Sequence, residues 1–146
     1  EFNKGGTSAP TVSNAGLLAR YEFETVGTTT PDSSGNGFTA TVVGGASTRA
    51  GKFGNAISLD GVDDCAWVPG VGPLELQSDY TVSAWVYVDA YPAAGTSSYI
   101  IDRGHEASWN PDYGILYSDN GYHTSWNQNQ ILQGGTVPVG QWVHVA

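Results

Sequence analysis

The densest chemistry in the chain lies between Arg103 and Gln130. Trp109, Tyr113, Tyr117, Tyr122 and Trp126 are interleaved there with Arg103, Asp112, Asn127, Gln128 and Asn129, and no other stretch mixes aromatics and amides so closely. Sugar rings present apolar C–H faces that stack on Trp and Tyr, while their hydroxyls need Asp, Asn, Gln or Arg nearby. The residue types therefore predict a carbohydrate site. Trp109, Tyr113 and Trp126 would be its stacking platforms, with Arg103, Asp112 and Asn127 as hydrogen-bonding partners. The alternative is that these rings are packed aromatics of a β-sandwich.

Two acidic turns could hold a cation. Asp32, Ser34 and Asn36 sit in a glycine-containing loop. Calcium wants six to eight oxygens from carboxylates, amides and carbonyls, so Asp32 and Asn36 are candidate calcium ligands. The competing reading is an Asx turn in which Asp32 bonds its own backbone. Asp60, Asp63 and Asp64 form the second turn, read as a charged hairpin tip that discourages association. Other reactive types stand apart. Glu22 and Glu24 share a strand face without a third partner and read as a solvated face. His105–Glu106 has no companion histidine, and His123 and His144 are solitary. Cys65 is the only cysteine, so no disulfide forms within the chain, and no basic neighbour in sequence activates its thiol. No Gly-x-Ser-x-Gly elbow or His-Glu-x-x-His helix is present. The residues point to a protein that is not an enzyme.

Positioning such groups falls to strands. Between Gly51 and Asp89, Ile57 and Leu59 alternate with Ser58 and Asp60, and Cys65 to Val68 alternates again. Tyr80, Val82, Ala84, Val86 and Val88 then alternate with Thr81, Ser83, Trp85 and Tyr87. Period-two alternation bounded by Gly, Pro and Asp is the pattern of half-buried antiparallel strands. Trp85, Trp142 and Tyr80 lie in strongly strand-like segments and are expected in the core. Trp67 is expected to face outward if Val68 faces inward. Further strands are expected over Leu17–Phe23, Phe38–Val43, Ser98–Asp102, Tyr113–Tyr117, Tyr122–Trp126, Gln130–Gln133 and Gln141–Ala146. Asn120–Gly121 is a hairpin signal. No helix start is found. Residues 1–14 read as a flexible linker or cloning remnant and 15–146 as one domain.

Composition agrees. A length of 146 residues suits one domain with a real core. Charged residues make up only 13% and aromatics 12%, which excludes disorder. Net charge is −9, and the five basic residues form no cluster, so nucleic acid is not an expected partner. No apolar run approaches the roughly 20 residues of a membrane span, and membrane insertion is not expected.

The ordered set LLARYEFE, DSSGNGFTATVVGG, GKFGNAISLDGVDDCAWVPG, SDYTVSAWVYVD, YGILYSDNGY and VPVGQWVHVA resembles the laminin G-like branch of the concanavalin A-like lectin/glucanase superfamily. The resemblance covers nearly everything from Leu17 onward. It implies an all-β, two-sheet antiparallel jelly-roll sandwich in a secreted or cell-surface protein. It also implies carbohydrate or glycoprotein ligands and a structural calcium ion near Asp32–Asn36. Glucanases of the superfamily carry a Glu-x-Asp-x-x-Glu strand, which this sequence lacks. Relatives continue past Gln-Trp-x-His-Val-Ala into further strands, one of them acidic and calcium-binding. This chain stops at Ala146, so the expectation is either a fragment of a longer domain or a sandwich whose missing strands come from elsewhere, and a domain cut in mid-sheet would leave an exposed edge at Gln141–Ala146 through which a homodimer could form by strand addition.

Overall fold

The computed structural model describes residues 15–68, 72–74, 76, 79–103, 113–118, 121–126 and 130–146. The fold is all-β, in several antiparallel sheets, consistent with a concanavalin A-like sandwich. Only a 3-10 turn at Gly72–Leu74 is helical among the described residues. The chain divides into two compact units, Glu1–Leu74 and Glu75–Ala146.

The first unit holds β1 (Thr29–Thr30), β2 (Ala40–Val43), β3 (Ser47–Ala50), β4 (Asn55–Ser58) and β5 (Cys65–Trp67). One sheet runs β1-β2-β5, and β3-β4 is a separate hairpin. Thr30 and Ala40 face each other and are buried, whereas Val43, Cys65 and Trp67 on the other face are exposed. The outward reading of Trp67 thus agrees with the structure. Thr29–Thr30 lies in a stretch that composition reads as loop, and β-branching helps explain its strand geometry.

The expected strand Leu17–Phe23 is not one. Phe23 has φ 56°, a left-handed value that ends an extended run. Its neighbours are held instead by side chains of the Asp32–Phe38 loop, so polar groups replace a partner strand. The expected hairpin at Gly61–Asp64 is also absent. β4 pairs back with β3, and β5 pairs with β2, so this turn carries the chain from one sheet to the other. β3 owes its strand geometry to the Gly51–Gly54 turn, closed by the Gly51 N–H on the Gly54 carbonyl at 2.9 Å.

The second unit holds β6 (Ala84–Tyr87), β7 (Ser98–Arg103), β8 (Tyr113–Ser118), β9 (Gly121–Trp126), β10 (Gln130–Gln133) and β11 (Trp142–Val145). Four strands pair in the order β10-β9-β8-β7, and β11 pairs with β6. Ser118 opposite Gly121 closes the β8–β9 pairing that Asn120–Gly121 announces. The register of β7 shifts between Tyr99 and Ile101. Tyr113, Ile115 and Leu116 make β8 a buried central strand. Val88, Val137 and Val145 complete the buried set, and the Tyr91 hydroxyl donates to the Val137 carbonyl at 2.7 Å.

Candidate functional site

The four-stranded sheet gathers part of the expected sugar site at one end. β7 ends at Arg103, β8 begins at Tyr113, β9 ends at Trp126 and β10 begins at Gln130. The register pairs Arg103 with Tyr113, Tyr113 with Trp126, and Trp126 with Gln130, so these four form one row across the sheet. Successive positions in such a row stand about 5 Å apart. Trp109 and Asp112 belong to the β7–β8 connection and Asn127 to the β9–β10 connection. All three lie outside the described residues. The chain therefore leaves and re-enters the sheet at this row, through the segments that carry the remaining candidates.

Tyr113 does not present an open ring. It is only 9% exposed, and the Tyr80 ring packs on it with centroids 5.2 Å apart at 46°. Burial pushes the Tyr113 hydroxyl up from its ordinary pKa, and the nearby Arg103 charge draws it partly back. Burial, then Tyr113, raise Tyr80 likewise. Tyr80, expected in the core, remains partly exposed at this contact. Arg103 is half-buried, and its coupling to the Tyr113 hydroxyl makes the row an electrostatic as well as a geometric unit.

The Asp32–Asn36 loop is a hydrogen-bonded clamp. Asp32 Oδ1 accepts from the N–H groups of Arg20 (2.9 Å) and Ser34 (2.8 Å). Its Oδ2 accepts from the Ser34 hydroxyl (2.7 Å) and the Phe38 N–H (3.1 Å). Burial raises the Asp32 pKa, but these donors outweigh it and hold the carboxyl below its usual value. Asn36 donates from Nδ2 to the Leu17 and Leu18 carbonyls, each at 2.9 Å. The Tyr21 hydroxyl donates to the Phe38 carbonyl at 2.5 Å. A carboxylate offers about four lone-pair directions, and all of Asp32's are taken by donors. A calcium ion would have to displace them, and the bonds from Ser34 fit the Asx reading of this loop.

In the acidic turn, the carboxylate oxygens of Asp60, Asp63 and Asp64 lie within 4.8 Å of one another. Backbone groups occupy them: the Val62 and Asp63 N–H groups donate to Asp60, and the Asp60 N–H donates to Asp64. The Val62 N–H leads in holding Asp60 below its ordinary pKa.

Sequence reasoning missed an aromatic face on β6–β11. Tyr87 stands opposite Trp142, and Trp85 opposite His144. The rings of Trp85 and His144 are 5.2 Å apart at 55°, and those of Tyr87 and Trp142 are 5.5 Å apart at 60°. Val88 and Val145 point the other way and are buried. Trp85, expected in the core, is 43% exposed, and Trp142 is only half-buried. The aliphatic members of each strand take the inner face and leave the rings outside. Both strands alternate aliphatic with aromatic, in Ala-Trp-Val-Tyr-Val and Trp-Val-His-Val, and that was the signal available.

The remaining reactive groups serve structure. Glu22 pairs with Arg20 at 2.6 Å and accepts from the Ser33 hydroxyl. Glu24 accepts from the Asn55 N–H at 3.1 Å. Both residues are exposed, as expected of a solvated face, and their carboxylates also tie segments together. His123 Nε2 meets the Ser118 hydroxyl at 3.0 Å across the β8–β9 pair, and Ser118 is buried.

Residues 60–146 match the laminin G family model described as the concanavalin A-like lectin/glucanases superfamily. No curated protein and no solved structure matches the chain.

Proposed function

The chain belongs to the concanavalin A-like lectin/glucanase superfamily, and from that premise we propose that it is a non-catalytic carbohydrate-binding module of a secreted or cell-surface protein. The supporting observation is the row of Arg103, Tyr113, Trp126 and Gln130, at which both connections carrying Trp109, Asp112 and Asn127 begin and end. A permanent cation, aromatics and amides at one sheet end are what a sugar needs: apolar surface beside a few placed polar groups. Tyr113 acts here as a buried support, and the stacking role falls to Trp109 and Trp126. The Asp32–Asn36 loop is read as a clamp.

Glycan-array binding and affinity electrophoresis test the reading. The wild-type chain should retain a glycan. Trp109→Ala, Trp126→Ala and Arg103→Ala should each weaken retention at least tenfold, the effect of losing about 1.4 kcal/mol, with unchanged circular dichroism. Binding that survives loss of both Trp109 and Trp126 would overturn it.

Protein interaction is the second reading, favoured by the outward rings of Trp85, Tyr87, Trp142 and His144. β11 pairs with β6 alone among the described strands, which leaves an edge for strand addition by another copy. A monomeric solution mass at high concentration would argue against that form of it.

A further inference from the structure

We propose that Asn36–Gly37 is a self-modification site, at which deamidation converts the clamp on the Leu17–Tyr21 segment into a repulsive contact. Three observations meet there. Asn36 is exposed, and its Nδ2 is the donor that holds both the Leu17 and Leu18 carbonyls. Gly37, with φ 83°, has open space where a side chain would stand. Its N–H makes no hydrogen bond among the described residues. An unhindered, unengaged backbone nitrogen therefore directly follows a side-chain amide.

The chemistry needs only water. The Gly37 nitrogen attacks Asn36 Cγ and forms a C–N bond. The bond from Cγ to Nδ2 breaks, ammonia leaves, and the Gly37 amide proton passes to solvent or to the leaving group. Water then opens the five-membered succinimide at either carbonyl, giving aspartate or isoaspartate. The sum is Asn plus water to an acid plus ammonia, without redox change.

The consequence follows from the clamp's polarity. The Nδ2 group, with its two N–H donors, becomes one carboxylate oxygen facing the Leu17 and Leu18 carbonyls, in a loop that already carries the Asp32 carboxylate. The isoaspartate product also adds a methylene to the backbone at residue 36, two residues before Phe38. That shifts the Phe38 N–H from Asp32 and its carbonyl from the Tyr21 hydroxyl. Deamidation would thus unlace the N-terminal segment irreversibly.

Trypsin supplies a direct test. The peptide Tyr21–Arg49 contains Asn36 as its only Asn or Gln, so any amide-to-acid mass gain in it reports this residue. The folded full chain, held at mildly alkaline pH, should convert within about tenfold of the rate in the urea-unfolded chain, because only the exposed Asn36 Nδ2 bonds need break and the Asp32 hydrogen bonds stay closed. No conversion of the folded chain while the unfolded chain converts fully would overturn the site. Asn36→Asp should lower the unfolding midpoint further than Asn36→Ala, since it adds repulsion to the lost donors. Equal midpoints for the two variants would overturn the switch, even with conversion observed.

Discussion

Asp32→Ala removes one carboxylate and four hydrogen bonds, from the N–H groups of Arg20, Ser34 and Phe38 and from the Ser34 hydroxyl. A hydrogen bond to a charged group is worth about 1.5–3 kcal/mol net. The four are only part-buried, so water replaces part of each. The two from Ser34 form a local turn comparable to a helix N-cap, about 1 kcal/mol. The expected loss is about 2–4 kcal/mol, from a total of about 5–15 for a domain. Asp32→Asn keeps the shape but turns an NH2 toward donors, and should lose about half as much. Urea unfolding measures the loss, and hydrogen exchange at Arg20, Ser34 and Phe38 localises it. The pH dependence has a fixed sign. The folded carboxyl titrates below its unfolded value of about 3.9, so its stabilisation is full above that value and fades as pH falls through the folded one. The acid limb of the wild type should flatten in Asp32→Asn. Calcium separates clamp from cage: a bound ion raises the midpoint with concentration, and a clamp leaves it unmoved. A loss under about 0.5 kcal/mol, the scale of ordinary surface changes, with unchanged exchange at the three amides, would refute the clamp.

Gly54→Ala should lower stability by about 1–2 kcal/mol in thermal melts, because φ is 54° and the Glu24 carboxylate must swing away from an added Cβ and give up its bond to Asn55. A double-mutant cycle between Trp85 and His144 should give a coupling of about 0.5–1 kcal/mol, the worth of a tilted cross-strand ring pair. Tyr122→Phe should be neutral or stabilising by up to about 1 kcal/mol in urea unfolding, since its buried hydroxyl has no partner among the described residues.

Strand existence was legible at most of the alternating segments, and strand partners were not. Ala84–Tyr87, Ser98–Arg103 and the β8–β9 pair fall where the pattern put them, because alternation and Asn-Gly are local signals. Ser47–Ala50 carries no such pattern and is a strand because a glycine turn folds it onto Asn55–Ser58. Leu17–Phe23 has the pattern and is not a strand, because Asp32, Ser34 and Asn36 satisfy its backbone from the side. The pairing of β6 with β11 joins residues nearly sixty positions apart, and no local rule reaches that far. The sugar-site candidates show the same division. Residue types singled out Arg103, Tyr113 and Trp126 within one dense segment. Their alignment in one row is set by register, and the burial of Tyr113 by Tyr80, which local chemistry does not record.

The placement of rings in the second unit turns on their polar atoms. A valine buries apolar surface alone, whereas Trp, Tyr and His bring an N–H or O–H that must find a partner once dry. Where a strand alternates the two kinds, the aliphatic side is the less costly one to bury. Val88 and Val145 go in, and Trp85 and His144 stay out. Tyrosine hydroxyls turned inward succeed when a carbonyl is within reach, as those of Tyr91 and Tyr21 find the Val137 and Phe38 carbonyls in part-buried bonds. Tyr122 shows the failure: burial, then Tyr117 and Tyr91, push its hydroxyl further from ionisation, and no acceptor among the described residues meets it. An aromatic in a strand-like segment is therefore poor grounds for assigning it to the core. The better question is whether an aliphatic neighbour competes for the inner face and whether an acceptor waits there for the ring. By that rule the Trp85–His144 face stays exposed because its strands had valines to bury instead.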